Sequence, residues 1–266
     1  ERLLSMKILV TGDKGFIGSH LSKSLINDGH EVIGWDKKDD KDILHITSDD
    51  IGYAERIVHL AAKANVKQSL KYPTSYHITN TLGTRAVFEA AEYVGVPVIF
   101  ASSSTAKQWW LSPYGTTKKM TEVISDNYLQ NVALRFSNVY GDGQRDTMLF
   151  QRMIDNKLEY ISNNHVRDFV HVDDVIKIFL YAKDFEFDRI YDVGSGEGLI
   201  VNNLVEYYGF NVEERVGESC EMLDNTSDIT KLTRLGWSPK NDIHKYLKRK
   251  LDGRTKLKNN AQGLLS

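Results

Sequence analysis

A single cysteine, Cys220, rules out any disulfide framework within the chain. Proline is scarce, at four in 266 residues, and no stretch rich in proline or serine separates two halves. The parts of the chain are therefore expected to be interleaved and to share a cleft. No sign of charge dominates: 34 lysines and arginines stand against 36 aspartates and glutamates, for a formal charge of -2. A nucleic-acid partner or an anionic membrane surface would favour a basic excess, so neither is expected. The longest apolar stretch, Val94 to Ala101, is far short of the roughly 20 residues that span a bilayer. The N-terminus lacks the apolar core of a secretory signal, which makes the cytoplasm the expected location. The eight histidines form no H-x-x-x-H or similar cluster, so no metal is expected. There are no internal repeats. The five residues before Met6 read as an upstream extension and are set aside.

What is present is an alternation of short apolar runs and amphipathic ones. "KILVTG" (Lys7 to Gly12) reads as a buried strand, "FIGSHLSKSLINDG" (Phe16 to Gly29) as a helix with a glycine stop, and "EVIGWD" (Glu31 to Asp36) as a second strand. "RIVHLAA" (Arg56 to Ala62), "PVIFASSS" (Pro97 to Ser104) and "VALRFSNVYG" (Val132 to Gly141) add three more strands. Long helices are predicted over Thr74–Gly95 and Tyr114–Leu129. Strands that are apolar throughout and alternate with helices imply a parallel sheet covered on both faces. Beyond Gly141 the regularity weakens: helices are predicted at Thr147–Asn156 and Ser227–Trp237, and a strand running into a helix over Arg167–Asp184. Residues 6–141 are read as the main domain, with some later segments returning to it. Residues 142–250 are read as a smaller lobe, and the polar, basic stretch 251–266 as a loosely ordered tail.

"TGDKGFIG" places Gly12, Gly15 and Gly18 between a strand and a helix, with Phe16 and Ile17 opening that helix. Such spacing allows a tight turn, close approach of the backbone to a pyrophosphate, and close packing of helix on sheet. The free N–H groups of the helix start then face the phosphates. Asp36, eighteen residues after Gly18, ends the second strand where an acidic residue can bind the adenosine ribose hydroxyls. A carboxylate there repels a 2′-phosphate, which favours NAD over NADP; Lys37 and Lys38 pull the other way.

Tyr114 and Lys118 are four residues apart after Ser112-Pro113, so they share one face of a helix with a cap and a proline start. A free tyrosine has a pKa near 10 and is a poor base. A lysine charge about 6 Å away, at an effective dielectric near 20, favours the phenolate by roughly 3 kcal/mol, or about two pKa units. The preceding strand ends in Ser102, Ser103 and Ser104, whose position at a parallel strand's C-terminal end points hydroxyls into a ligand crevice.

Taken together these residues resemble the extended short-chain dehydrogenase/reductases, and among them the NAD-dependent nucleotide-sugar epimerase/dehydratase family of UDP-glucose 4-epimerase-like enzymes. The resemblance is carried by "TGDKGFIG", Asp36, "DI" (Asp42 and Ile43), "HLAA" (His59 to Ala62), Asn80 before "LGT", "ASSS", "YGTTK", "LRFSNVYG", "RDFVHVDDV", "YDVGSGEG" and "LGWSP". It implies an α/β fold, a Rossmann-type doubly wound parallel sheet with a smaller C-terminal α/β substrate lobe, acting on a nucleotide-diphosphate sugar as a homodimer. Asp42 and Ile43 then match the pair beside the adenine, while Lys37, Leu60, Ala61, Ala62 and Lys63 lie along the cofactor path. Asn80 matches a helix residue that supports the active-site backbone. Tyr114 matches the acid/base and Lys118 the lysine on the nicotinamide ribose. Ser103 best matches the hydroxyl on the reacting sugar oxygen, with Ser102 and Ser104 as alternatives. Ser104, Asn138, Arg167 and Arg215 match substrate contacts.

The sequence also departs from that family. It is short, with little room for a strand and helix between Asp42 and Arg56. "TAKQWWLS" replaces a longer substrate loop, leaving the sugar end open or lined by Trp109 and Trp110. Ser104 and Thr105 stand where dehydratases carry an Asp-Glu pair, and Cys220 matches no acid/base of the double epimerases. Exclusion leaves C4 epimerisation through a 4-keto sugar as the expected activity. A net reductase or dehydrogenase, and a non-catalytic dinucleotide sensor, are the alternatives.

Overall fold

The computed structural model describes residues 5–128, 130–179, 181, 185–186 and 189–263. In chain order, β1 (Lys7–Thr11) leads to α1 (Phe16–Asn27) and β2 (Glu31–Trp35). Two short 3₁₀ turns and α2 (Ser48–Ile51) precede β3 (Arg56–His59). α3 (Val66–Lys71) and α4 (Pro73–Tyr76) follow, and α4 runs through a wide π segment, His77–Leu82, into α5 (Gly83–Val94). β4 (Val98–Ser103), a 3₁₀ stretch (Ser104–Leu111), α6 (Pro113–Ser125) and β5 (Asn131–Phe136) complete the first half. Then come β6 (Asn138–Tyr140), α7 (Leu149–Ile154), β7 (Tyr160–Ser162), β8 (Val166–His171), α8 (Val172–Ile178), β9 (Arg189–Val193), β10 (Gly198–Ile200), α9 (Val201–Tyr207), β11 (Glu213–Arg215), α10 (Thr230–Arg234) and α11 (Ile243–Gly263).

Six strands form one parallel sheet in the order β2-β1-β3-β4-β5-β9. The strand order reverses between β1 and β3, which opens a crevice at their C-terminal ends. Both faces of the sheet are apolar because both are covered. Ile8, Val10, Val58, Ile99 and Leu134 pack against α1 and α8 on one side; Leu9, Ile57, Phe100 and Ala133 pack against α5 on the other. The smaller lobe holds a three-stranded sheet, β10-β8-β6, and a two-stranded one, β11-β7, over a third core that includes Phe150, Met153 and Phe169. The sheet is thus the doubly wound parallel sheet expected, with β9 returning from the later half of the chain as its outer strand.

Two expectations are corrected. The stretch from Val132 to Gly141 is two strands: at Ser137, whose N–H donates to the Val193 carbonyl at 2.9 Å, the chain leaves the large sheet for the small one. Both halves are apolar in their own sheets, so no change of pattern marks the break. The helix over 74–95 is one body but widens at His77–Leu82. The last helix, α11, runs from Ile243 to Gly263. Residues 264–266 and 1–4 lie outside the described residues. Between β2 and β3 the four-residue α2 is closed by a capping box of Thr47 and Asp50, and no strand lies beyond β2 among the described residues.

Candidate active site

The glycine loop is dictated by backbone. Gly12 has φ +72°, and a Cβ there would stand 2.8 Å from the Ala61 nitrogen. A Cβ on Gly18 would fall on the Gly12 carbonyl. The loop therefore closes on itself and on the β3 end with no room for a side chain at Gly12 or Gly18, while α1 begins at Phe16 with no side-chain cap on its N–H groups. Asp36 binds the loop to β2: its carboxylate accepts from the Lys14 N–H at 3.1 Å and the Lys38 N–H at 2.9 Å. The neighbouring lysines are engaged. Lys37 pairs with Asp42 at 2.9 Å, Lys38 Nζ donates to the Lys14 carbonyl at 2.9 Å, and Lys14 Nζ pairs with Asp39.

A crevice of about 750 Å³ runs from this loop to the smaller lobe. Its lining joins Gly12, Gly15, Phe16, Ile17, Gly18, Leu60 and Ala62 to Ser102, Ser103, Ser104, Tyr114, Lys118, Asn138 and Arg167. Other expected residues sit behind it. Asp36, Lys37 and Asp42 lie at the β2 end, Ile43 packs on Gly83, and Ala61 closes on Gly12. Asn80 lies in the π segment, where its Oδ1 accepts from the Lys63 N–H at 2.8 Å and its Nδ2 donates to the Lys63 carbonyl at 2.9 Å and Thr117 at 3.0 Å. The widened turn thus aims one amide at the backbone that flanks the crevice, a common use of π segments. His59 spans β3 between Thr11 and Thr84, and burial pushes its pKa down to about 3, so it is a neutral strut.

The three serines divide their tasks. Ser102 Oγ donates to the buried Glu122 at 2.6 Å, and Ser104 Oγ accepts from Asn225 at 3.4 Å. The Ser103 hydroxyl stands near enough to the Tyr114 phenol to pull its pKa down, and it accepts from Thr105 Oγ1 at 3.0 Å. α6 starts as expected, with Ser112 Oγ accepting from the Gly115 N–H at 3.0 Å. The electrostatics differ from the expectation that Lys118 lowers Tyr114. Burial raises Tyr114, and the groups that pull it down are the Ser103 hydroxyl and the Arg145 charge. Lys118 is buried and donates to the Ala101 carbonyl at 2.7 Å; burial pulls it down to about 8, against an upward push from Glu122.

At the far end, Arg167 donates to the Val166 and Leu223 carbonyls at 2.8 and 3.3 Å and contacts His165 at 2.9 Å. Asn138 Oδ1 accepts from Asn225 at 2.6 Å. Lys67 of α3 pairs with Glu218 at 2.8 Å and Glu221 at 3.8 Å, joining the two lobes over the crevice. Arg215 is not brought to the crevice: it is exposed on β11, paired with Glu213 and stacked 4.0 Å over the Tyr160 ring. Trp109 and Trp110 are likewise outside the lining, 43% and 63% exposed, because the 3₁₀ stretch packs its backbone on Gly115 and turns both rings outward. Sequence reasoning missed Arg145, Glu122 and Asn225. Glu122 had a signal, one helical turn beyond Lys118, and Arg145 had one in its place just after the "NVYG" strand end.

Residues 8–194 match the model of the NAD dependent epimerase/dehydratase family. A Methanocaldococcus jannaschii protein provisionally named UDP-glucose 4-epimerase is 30% identical, over 91% of this chain and 96% of its own. Among solved structures, UDP-glucose 4-epimerase of Thermotoga maritima with UDP-glucose superposes with a TM-score of 0.82 at 27% identity, covering 95% of this chain and 100% of that one. MoeE5 in complex with UDP-glucuronic acid and NAD does so with a TM-score of 0.83 at 26% identity, covering 95% and 99%.

Proposed function

Because the chain belongs to the NAD dependent epimerase/dehydratase family, we propose that it is an NAD-dependent nucleotide-sugar epimerase acting at C4. The observation that carries this reading is the continuity of one crevice from the glycine loop to Ser103, Tyr114 and Lys118. The loop fits a dinucleotide, since Gly12 and Gly18 leave room for nothing but backbone beside the α1 N-terminus. In this reading the Gly12–Gly18 loop holds the pyrophosphate, Asp36 the adenosine ribose and Lys118 the nicotinamide ribose. The engagement of Lys14, Lys37 and Lys38 with their own partners leaves the Asp36 carboxylate to set the preference for NAD.

Bound NAD supplies the hydride acceptor and donor; the protein handles the proton. Tyr114 exchanges the proton of the C4 hydroxyl, and Ser103 hydrogen-bonds the same oxygen. Arg145 and Ser103 oppose the burial that makes the phenolate costly. Arg167 and Asn138 take the nucleotide diphosphate and sugar. Elimination of water needs a further positioned acid and base, but Thr105 Oγ1 hydrogen-bonds Ser103, Ser104 hydrogen-bonds Asn225, and neither is a usable acid or base. The test is incubation of purified protein with UDP-, GDP- and dTDP-sugars. Interconversion of two C4 epimers with no added cofactor is expected. Stoichiometric accumulation of NADH would replace epimerisation with net oxidation, and no turnover of any sugar would support the non-catalytic alternative.

A second copy of the chain is the expected partner. α5 with its π extension and α6 lie on one face of the sheet and expose Ile78, Leu82, Tyr93, Met120 and Val123. Such residues recur at helical spacing and suit helix-on-helix packing. Sedimentation should give a dimer for the parent chain and a monomer for Leu82→Asp/Val123→Asp.

A further inference from the structure

The residue after the first glycine of the loop is an aspartate, and its side chain has an unusual position. Asp13 lies against β2 beside Gly34: a Cβ on Gly34 would stand 2.8 Å from the Asp13 Cγ and overlap its carboxylate. The strand is open there only because residue 34 is glycine. Asp13 Oδ1 is buried and has no hydrogen-bond partner. Gly34 and Asp36 are two apart on an extended backbone, so they share one side of the strand. The Asp13 carboxylate therefore stands on the Asp36 side of the loop. Burial and the Asp36 charge push it up, with Asp39 adding to the push, while a hydrogen bond from its own backbone N–H and the Lys14 charge oppose it. The nearby cations are directed elsewhere: Lys14 to Asp39, Lys38 to the Lys14 carbonyl, Lys41 to the Gly34 carbonyl at 3.2 Å.

A carboxylate with one buried oxygen left without a partner, held next to another carboxylate, is unfavourable for stability. Its place is explained if the two act together on what enters between the loop and β2. We propose that Asp13 is a specificity-determining residue of the dinucleotide site, adding a second carboxylate to Asp36 so that an adenosine ribose bearing a 2′-phosphate is rejected. The proposal rests on the dinucleotide reading given above. Two carboxylates facing one phosphate raise the repulsion beyond what Asp36 alone supplies, and without altering the uncharged ribose contacts.

Titration calorimetry with NAD⁺ and NADP⁺ on the parent, Asp13→Asn and Asp36→Asn tests it. Asp13→Asn should strengthen NADP⁺ binding by about tenfold and change NAD⁺ binding by less than about threefold. If Asp13→Asn does not fold by circular dichroism, Asp13→Ser carries the same expectation. A ratio of the two dissociation constants that stays within about twofold of the parent's would overturn the proposal. So would equal losses for both dinucleotides, which would reduce Asp13 to a loop-folding role. A parent that binds neither dinucleotide would overturn the dinucleotide reading itself, and so is distinct from a failure of Asp13 alone.

Discussion

The two ends of the crevice are built from different material. At the phosphate end the shape is set by backbone: Gly12 and Gly18 pack carbonyls, N–H groups and a helix start so closely that no Cβ fits at either position. At the other end the shape is side chain: Ser103, Tyr114, Lys118, Arg145, Arg167 and Asn138 converge from both lobes. A backbone site fails as a unit when one atom is added. A side-chain site loses one chemical function at a time and keeps its form.

Tyr114→Phe is the sharpest test of that contrast. It should lower turnover about a thousandfold while leaving dinucleotide affinity within about twofold, measured by steady-state kinetics and calorimetry. A matching loss of dinucleotide binding would break the division. Gly18→Ala should do the opposite. It adds one carbon against the Gly12 carbonyl and should weaken dinucleotide binding by about a hundredfold, with little left to assay in turnover.

Titration probes where the two ends meet, at Lys118. Its charge should be lost as pH rises past about 8, so activity should fall there by about tenfold per pH unit at most. Stability should move the other way. The folded lysine releases its proton near 8 and the unfolded one near 10.5, so between these values the unfolded chain binds more protons and stability rises with pH. Melting temperature and turnover measured across that window should therefore diverge; parallel curves would show that another group governs the alkaline limb. The smallest effect is expected from Lys67→Ala. Its pairs with Glu218 and Glu221 are partly exposed, so stability should change by less than about 1 kcal/mol in a urea melt, with at most a few-fold change in KM.

The same contrast explains what the sequence made legible. Glycines forced by backbone contact leave fixed spacings, and β1, α1 and β2 fell within a residue or two of their expected ends. Side-chain networks leave less trace. The spacing of Tyr114 and Lys118 placed them on one helix but said nothing of the Ala101 carbonyl that takes the lysine. Ser102, Ser103 and Ser104 became distinguishable only when Glu122, Tyr114 and Asn225 stood beside them. The break at Ser137 was hidden because a strand that changes sheets keeps its apolar pattern on both sides. The outward turn of Trp109 and Trp110 depends on how a 3₁₀ stretch packs on Gly115, which composition does not encode.

The return of β9 to the large sheet has a consequence for biosynthesis. β5 has no neighbour on its outer side until Arg189–Val193 arrives, some fifty residues after β5 ends. A nascent chain emerging from the ribosome therefore carries an open parallel edge while the second lobe is being made. Such edges invite strand pairing with other chains. Pulse-labelled chains released before Val193 should aggregate or be degraded, whereas chains released just after it should gain protease resistance abruptly.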